Sequence, residues 1–149
     1  EKYSPSRIIL DKFLNKNKKS YIVNTAKNIN TYFFYYKGKK QTVRYFKKKG
    51  VRLIKFKLDK NNQFNLKSIL NKISDLGIKN LLVEGGKNIT LSFLKNDLFN
   101  EFYLFKSNLK LGKKGRVNIS NITKKLTSKF KFKKNIHTYL DKDELIYYY

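Results

Sequence analysis

Hydrophobic residues along this chain fall into short runs separated by lysine-rich segments, and the runs predict alternating strands and helices. Two apolar runs near the start, at 7–11 and 21–25, have the β-branched and aliphatic content of strands that are buried on both faces. A third run at 51–56 follows Gly50 and also predicts a strand. The stretch 31–40 mixes aromatic residues with lysine and predicts no definite element.

The clearest helix signal lies in residues 66–76, where apolar residues recur at intervals of three and four. Asn65 is suited to cap the start of this helix and Gly77 its end. An apolar run at 80–83 then predicts a strand. Residues 51–83 are therefore expected to form a strand–helix–strand unit that crosses over right-handedly into a parallel sheet.

The second half of the chain predicts a helix followed by antiparallel strands. A helix is expected after the glycine pair at 85–86, and strand character returns at 101–107. Residues 129–138 and 144–149 alternate lysine with aromatic residues or end in aromatics, which predicts an antiparallel hairpin. We predict a single α/β domain over residues 1–149.

Charge is the most unusual property of the composition. Lys and Arg total 35 against 10 Asp and Glu, which gives a formal net charge of +25. This excess favours a nucleic-acid-binding protein as a first hypothesis. Lysine is spread over every segment, however, whereas alanine occurs only at Ala26 and proline only at Pro5. That skew is typical of an A/T-rich coding sequence, so lysines that merely solvate exposed faces are the competing interpretation.

The residue types that the chain lacks exclude several kinds of site. It has no cysteine, which excludes disulfides, thiolate metal sites and iron–sulfur clusters. His137 is the sole histidine, so a multi-histidine metal site is excluded too. No apolar run approaches the roughly 18–20 residues of a membrane-spanning helix, and residues 1–6 lack the apolar core of a secretory signal. We therefore expect a cytoplasmic protein with no membrane partner and no metal.

The segment 81–86, Leu-Leu-Val-Glu-Gly-Gly, carries the strongest indication of chemistry. It predicts a buried strand with an acid at its carboxyl end, then two glycines and the start of a helix. Ligands of open α/β sheets bind beyond the carboxyl ends of the strands, and the free N–H groups of a helix start stabilise a phosphate or diphosphate. A simple tight turn with a solvated Glu84 is the competing interpretation, because the full G-x-G-x-x-G pattern is absent.

Three consecutive motifs make the chain similar to the C-terminal reductase domain of the bifunctional riboflavin-biosynthesis deaminase/reductase. Residues 82–86, 91–94 and 97–101 resemble that family's LVEGG, SFL and LVDE motifs. The segment 5–11, Pro-Ser-Arg-Ile-Ile-Leu-Asp, resembles its P-x-R-V-V-L-D strand.

Shorter matches keep the same order along the chain. Asn24-Thr25-Ala26 resembles the family's following strand end, and Leu111-Gly112 a later Leu-Gly. Gly50-Val51 and Asn65-Leu66 resemble its next strand and helix. The resemblance thus spans most of the chain.

The resemblance implies a dihydrofolate-reductase-like three-layer α/β fold, with a mostly parallel central sheet and a C-terminal antiparallel hairpin. It also implies an oxidoreductase of riboflavin biosynthesis that uses NADPH. The reaction would reduce the ribosyl side chain of 5-amino-6-(5-phosphoribosylamino)uracil to the ribityl form. The hydride comes from the cofactor, so protein groups mainly position the nicotinamide, and neither a catalytic side chain nor a metal is expected.

The matched motif also implies binding residues. Glu84 corresponds to an acid that contacts the substrate. Backbone amides of Gly86, Lys87 and Asn88 are expected to bind the cofactor diphosphate, with Thr90 adding a hydroxyl donor. The full cofactor-binding set is Lys12, Gly85, Gly86, Lys87, Asn88, Ile89, Thr90, Leu91 and Ser92. Lys12 stands where the family usually has serine, so it is either a contact of the NADPH 2′-phosphate or one more surface lysine.

The family resemblance also sets expectations about the whole protein. The family domain has a strand and a loop with Lys, Ser and Asp-Gly upstream of the P-x-R segment, and this chain starts at Glu1. We expect an N-terminally incomplete reductase domain, weak or inactive alone, with an upstream deaminase domain, a homodimeric state and a phosphorylated pyrimidine substrate. The alternatives are a basic nucleic-acid-binding module, a related reductase with another pterin or pyrimidine substrate, and a decayed homologue.

Overall fold

Parallel strands form the first part of the fold and antiparallel strands the second. The computed structural model describes residues 4–109, 120–137, 139 and 142–149. They belong to two compact units, Glu1–Asn65 and Leu66–Tyr149. This arrangement confirms the predicted mixed α/β class with a C-terminal antiparallel hairpin, and it is consistent with a dihydrofolate-reductase-like fold. Within the described ranges, no helix has the length and apolarity needed to cross a membrane.

The first unit is built around its middle strand. In chain order its elements are β1 (Arg7–Leu10), α1 (Tyr21–Asn24), β2 (Thr31–Tyr35), α2 (Lys40–Lys48) and β3 (Arg52–Lys55). The strands lie in the order β1-β2-β3 and run parallel, with Phe33 opposite both Ile9 and Leu53. Residues 31–34 are all buried because β2 has a neighbour on each side and helices beside it.

Aromatic packing forms the core of the first unit. Phe33 of β2 and Phe46 of α2 are fully buried, and their ring centroids lie 5.1 Å apart. Val23 and Ala26 cover the same cluster from α1 and the turn that follows it. The pair of rings thereby fixes α2 against the sheet.

The run at 21–25, predicted to be a strand, is instead the short helix α1 and its last turn. The helical turn buries Val23 and Ala26 on one side, and the Thr25 hydroxyl donates to the Tyr21 carbonyl at 2.8 Å. The strand of this region is 31–35, where the sequence predicted no definite element. Its Thr-Tyr-Phe-Phe-Tyr composition suits a strand, and burial between two neighbours decides the outcome.

Arg7 joins three elements through neutral acceptors. Its guanidinium donates to the Thr31 hydroxyl at 2.7 and 3.1 Å, to the Thr25 hydroxyl at 2.9 Å and to the Ile22 carbonyl at 3.2 Å. Thr31 is completely buried, and its own hydroxyl donates to the Ile29 carbonyl. The network ties β1 to α1 and β2 without a carboxylate partner.

The second unit follows with helices on one side of an antiparallel sheet. Its elements are α3 (Leu66–Asp75), α4 (Lys87–Lys95), β4 (Phe102–Lys106), α5 (Ser120–Lys129), β5 (Lys133–Ile136) and β6 (Glu144–Tyr148). The strand order β4-β6-β5 confirms the predicted hairpin and adds β4 to it. Helix α3 is confirmed as well, and Gly77, at φ +77°, ends it with its N–H bonded to the Ser74 carbonyl.

The strand predicted at 80–83 is the main error in this unit, because these residues form no strand. Leu81, Leu82 and Val83 are exposed to 40, 78 and 39%. A strand requires a neighbour for its backbone hydrogen bonds, and no described strand pairs with this segment. The predicted strand–helix–strand unit over 51–83 is therefore reduced to β3 and α3.

The core of the second unit lies between the sheet and helices α4 and α5. Leu94 of α4, Leu126 of α5 and Tyr148 of β6 are buried together. Phe102 and Leu104 of β4 pack against them from the same face of the sheet. Helix α5 has few apolar residues, which is why its pattern predicted no element.

Candidate functional site

The glycine pair and the start of α4 form the candidate site. Gly86 is the N-cap of α4, with φ −77° and ψ −178°, and it lacks a side chain to cap the helix. The first N–H groups of a helix have no partner inside it, and the first turn of α4 contains no acidic residue. Lys87 and Asn88 are exposed there. The arrangement offers several backbone donors and a positive helix end to an anion.

Space beside Gly86 is open, whereas space beside Gly85 is closed. A Cβ at Gly86 would meet nothing within 4 Å. A Cβ at Gly85 would lie 1.8 Å from the Cγ2 atom of Ile89. Gly85 is thus required by packing within the turn, and Gly86 by no neighbour in the described chain.

The side chains of the later residues in the predicted binding segment interact with the helix backbone or the core. The Thr90 hydroxyl donates to the Gly86 carbonyl at 3.3 Å, and the Ser92 hydroxyl donates to the Asn88 carbonyl at 2.8 Å. Leu91 packs against the core of the second unit. The structure therefore separates an exposed group, residues 85–88, from a partly buried group, residues 89–92.

Glu84 is placed at the outer end of this turn. Its side chain is exposed and makes no hydrogen bond or ion pair with the described part of the chain. A carboxylate in this position is an acceptor that remains available to a hydroxyl or N–H donor. Across residues 4–109, 120–137, 139 and 142–149, no three carboxylate, imidazole or thiol side chains come together to hold a metal ion.

Lys12 lies in the first unit, directly after β1, and its ammonium group is engaged. The Nζ atom donates to the Asn62 carbonyl at 2.6 Å and to the Gln63 Oε1 atom at 3.2 Å. Its own carbonyl accepts the N–H groups of Tyr36 and Lys37 at 3.0 Å. Lys12 therefore holds the end of β1 to the segment after β2 and to the 59–63 turn.

Asp11 has a structural role at the same edge of the parallel sheet. Its carboxylate accepts the backbone N–H groups of Lys16 at 2.7 Å and Phe13 at 3.3 Å. In the structure it caps a turn.

The sequence did not predict which residues contact Lys12 and Gly85. Asn62 and Gln63 lie 50 and 51 positions from Lys12, and no local pattern pairs them. Ile89 could have been identified as the residue that requires Gly85, because it follows Gly85 by four positions and residues four apart are neighbours on a helix surface. The Leu111-Gly112 match lies outside the described residues.

Comparisons with known proteins agree with the motif. A family model described as the RibD C-terminal domain matches residues 1–142. The riboflavin biosynthesis protein RibD of Aquifex aeolicus is 35% identical over 101 residues, which are 68% of this chain and 26% of that protein. RibD of Actinobacillus pleuropneumoniae is 28% identical over 101 residues, 68% of this chain and 27% of that protein. The matched part thus spans about a quarter of the length of these curated relatives.

Proposed function

Because the chain belongs to the RibD C-terminal domain family, we propose that it is the nicotinamide-cofactor-binding part of a reductase of riboflavin biosynthesis. The cofactor is NADPH, and the substrate is 5-amino-6-(5-phosphoribosylamino)uracil, whose ribosyl side chain is reduced to the ribityl form. The uncapped start of α4 behind Gly86 carries this proposal, since it is a backbone anion site with open space in front.

The exposed residues of the turn would hold the cofactor diphosphate. The N–H groups of Gly86, Lys87 and Asn88 lie at the positive end of the α4 dipole, and the Lys87 ammonium adds a positive charge. When bound, NADPH supplies the hydride, so the chain's own groups bind and orient. Thr90 and Ser92 support the turn through their hydrogen bonds to the Gly86 and Asn88 carbonyls.

Glu84 is the residue that we assign to the substrate. Its carboxylate has no partner in the described chain and stands two positions before the helix start. Such an acceptor would orient a ribosyl hydroxyl or an exocyclic amine by a charge-assisted hydrogen bond.

Lys12 would contact the 2′-phosphate of NADPH. An ammonium has three donors, and two of them are used by Asn62 and Gln63, so one remains for a phosphate oxygen. Replacing Lys12 by alanine should then weaken NADPH binding about tenfold and leave NADH binding unchanged. Equal loss for both cofactors would show that Lys12 acts only by holding the 59–63 turn.

Titration of NADPH into the full chain tests the proposal most directly, by calorimetry or cofactor fluorescence. Gly86→Asp places a carboxylate at the diphosphate position, and it fits without a clash because no atom lies within 4 Å of the new Cβ. Aspartate is also a favourable N-cap, so α4 should persist. We expect the Kd for NADPH to rise at least tenfold.

Gly86→Asn is the matched control, because it caps the helix equally well without the charge. It should change the Kd for NADPH far less than Gly86→Asp does. No measurable affinity for NADPH, or equal affinity in the wild-type chain and Gly86→Asp, would refute the cofactor site.

A further inference from the structure

A groove lies between helices α4 and α5 of the second unit. Its volume is about 450 Å³, and it is lined by Leu91 and Lys95 of α4 and by Lys124 and Lys125 of α5. Residues four apart are neighbours on a helix surface, so Leu91 and Lys95 share one face of α4. We call this feature the α4/α5 groove.

The base of the α4/α5 groove is apolar. Leu91 is partly buried and packs against the core cluster that contains Leu94, Ile122 and Leu126. Lysine side chains extend such a surface with their methylene groups while they keep their ammonium groups in water. A ligand in the groove therefore meets hydrocarbon at the base and positive charge at the rim.

The three lysines at the rim are not engaged by other groups of the described chain. Lys95, Lys124 and Lys125 are exposed, and among the described residues they form neither an ion pair nor a side-chain hydrogen bond. Lys129, near the end of α5, differs from them because its Nζ atom pairs with the Asp97 carboxylate. The ammonium groups at the rim thus keep their donors for a ligand.

Three ammonium groups around one groove favour a multiply charged anion. Like charges repel, and an anion seated among them relieves that repulsion and accepts charge-assisted hydrogen bonds. A phosphate monoester carries about two negative charges at neutral pH and offers three strong acceptor oxygens. Its ester oxygen also carries an organic group, which can lie against the apolar base of the groove.

The shape of the groove favours a small molecule over a membrane or a nucleic acid. Its volume of about 450 Å³ lies in the range of roughly 300–1,000 Å³ that is usual for small-ligand sites. Membrane-binding helices insert exposed apolar side chains, whereas Leu91 is partly buried at the base of the groove. A nucleic acid requires cations that follow its backbone, and here they surround a single recess.

We propose that the α4/α5 groove binds a small phosphate monoester with an apolar body. The phosphate is held by Lys95, Lys124 and Lys125. The apolar body lies against Leu91. The site is distinct from the start of α4, because at 1.5 Å per residue Lys95 lies about 14 Å along the helix from Gly86. This inference does not depend on the proposed reductase function.

Fluorescence titration of the full chain with α-naphthyl phosphate tests the site. The chain has no tryptophan, so the naphthyl group can be excited with little background from the protein. We expect saturable binding that weakens as salt rises. Inorganic phosphate lacks the apolar body and α-naphthol lacks the charge, so each should bind at least about tenfold more weakly.

Paired substitutions locate the site. The double variant Lys124→Gln, Lys125→Gln removes both α5 charges from the rim, and we expect the Kd for α-naphthyl phosphate to rise about tenfold or more. The double variant Lys47→Gln, Lys48→Gln is the matched control, because these adjacent exposed lysines end α2 and the change in net charge is the same. It should leave that Kd nearly unchanged.

Two single variants separate this site from the proposed cofactor site. Lys95→Gln should raise the Kd for α-naphthyl phosphate several-fold and leave the Kd for NADPH unchanged. Gly86→Asp should do the reverse. If Gly86→Asp weakened α-naphthyl phosphate as much as the lysine substitutions do, the probe would bind at the start of α4 and the groove would not be its site.

Three other results would also overturn the proposal. α-Naphthyl phosphate could bind no more tightly than inorganic phosphate. The control pair in α2 could weaken it as much as the pair in α5, which would show a general effect of charge. Vesicles of phosphatidylserine and phosphatidylcholine, or a single-stranded oligodeoxynucleotide, could depend on the α5 lysines while α-naphthyl phosphate does not.

Discussion

The two units use the same lysine-rich composition in different ways. In the first unit, Phe33, Phe34 and Phe46 are fully buried, and no ion pair occurs among its described residues. Its described acids, Asp11 and Asp59, accept backbone N–H groups in turns. The first unit is thus held by aromatic burial and by hydrogen bonds that join a charged side chain to an uncharged partner.

The second unit places more of its interactions at the surface. Its described residues form three ion pairs, Lys72–Asp75, Lys106–Glu144 and Lys129–Asp97, and the rings of Phe105 and Phe132 are exposed to 65 and 62%. The candidate site at Gly86 is also exposed. Interior packing therefore dominates the first unit, while the second has the candidate anion site and more exposed aromatic residues. Substitutions in each unit can test this contrast.

Phe33→Ala should have the largest effect. Removing a fully buried ring leaves a cavity beside Phe46 and should lower the free energy of unfolding by about 3–5 kcal/mol. Hydrogen exchange resolved by peptide should show the loss over residues 4–65. Phe13→Ala, at a half-exposed position of the same unit, should cost under about 0.5 kcal/mol. Similar losses of stability in Phe33→Ala and Phe13→Ala would contradict the claim that interior packing dominates the first unit.

Arg7→Ala should have the next largest effect on stability. It removes four donated hydrogen bonds and leaves the buried Thr31 hydroxyl with fewer partners, at a cost of about 2–3 kcal/mol. Arg44→Ala, on the exposed side of α2, is the control and should be nearly neutral. Because the acceptors are uncharged, the loss in urea unfolding should be the same at low and high salt. A loss that disappears at high salt would indicate an ion pair instead.

Gly85→Ala should have a smaller and local effect. The added methyl would meet the Cγ2 atom of Ile89 at 1.8 Å and should destabilise the start of α4 by about 1–3 kcal/mol. Shortening the neighbour in the double variant Gly85→Ala, Ile89→Ala should recover part of that loss relative to Ile89→Ala alone. Faster hydrogen exchange of the 84–92 amides in Gly85→Ala would report this destabilisation of the start of α4. If Gly85→Ala matched the wild type, the turn would not be closed by Ile89.

The smallest effect concerns Tyr147 at high pH. Desolvation, together with the nearby Glu101 carboxylate and Tyr103, raises the pKa of Tyr147 above its ordinary 10.0. The folded state therefore keeps a proton that the unfolded state has lost, so stability is complete below about pH 10 and falls as pH rises through the folded-state pKa. The urea midpoint between pH 9 and 11, roughly, should fall less in Tyr147→Phe than in the wild type. Equal slopes would contradict the shift.

Elements with a strong local signal could be predicted from the sequence. Helix α3 could be predicted from its spacing of apolar residues and from Gly77 at its end. Helix α4 could be predicted from the glycine pair that precedes it. Strands β3 and β4 and the final hairpin also match their patterns. These are segments in which local preference and tertiary position agree.

The errors arose where distant residues decide the outcome. Residues 21–24 have strand-like composition, but Arg7 and the core bind them as a helical turn. The segment 80–83 has the composition of a strand and no described partner strand. In the candidate site, the sequence located the turn but could not place the Thr90 hydroxyl, which bonds back into the helix. Nor could it foresee that Lys12 contacts a turn 50 residues away.

Strand β6 lies between β4 and β5 although it follows both of them in the chain. During synthesis the first sheet can close in sequence, because each strand emerges next to a finished neighbour. The second sheet must wait until its middle strand emerges, and at about 5–20 residues per second the backbone hydrogen-bonding groups of β4 lack their partner strand for seconds. A nascent chain halted before β6 is therefore the form most in need of a chaperone.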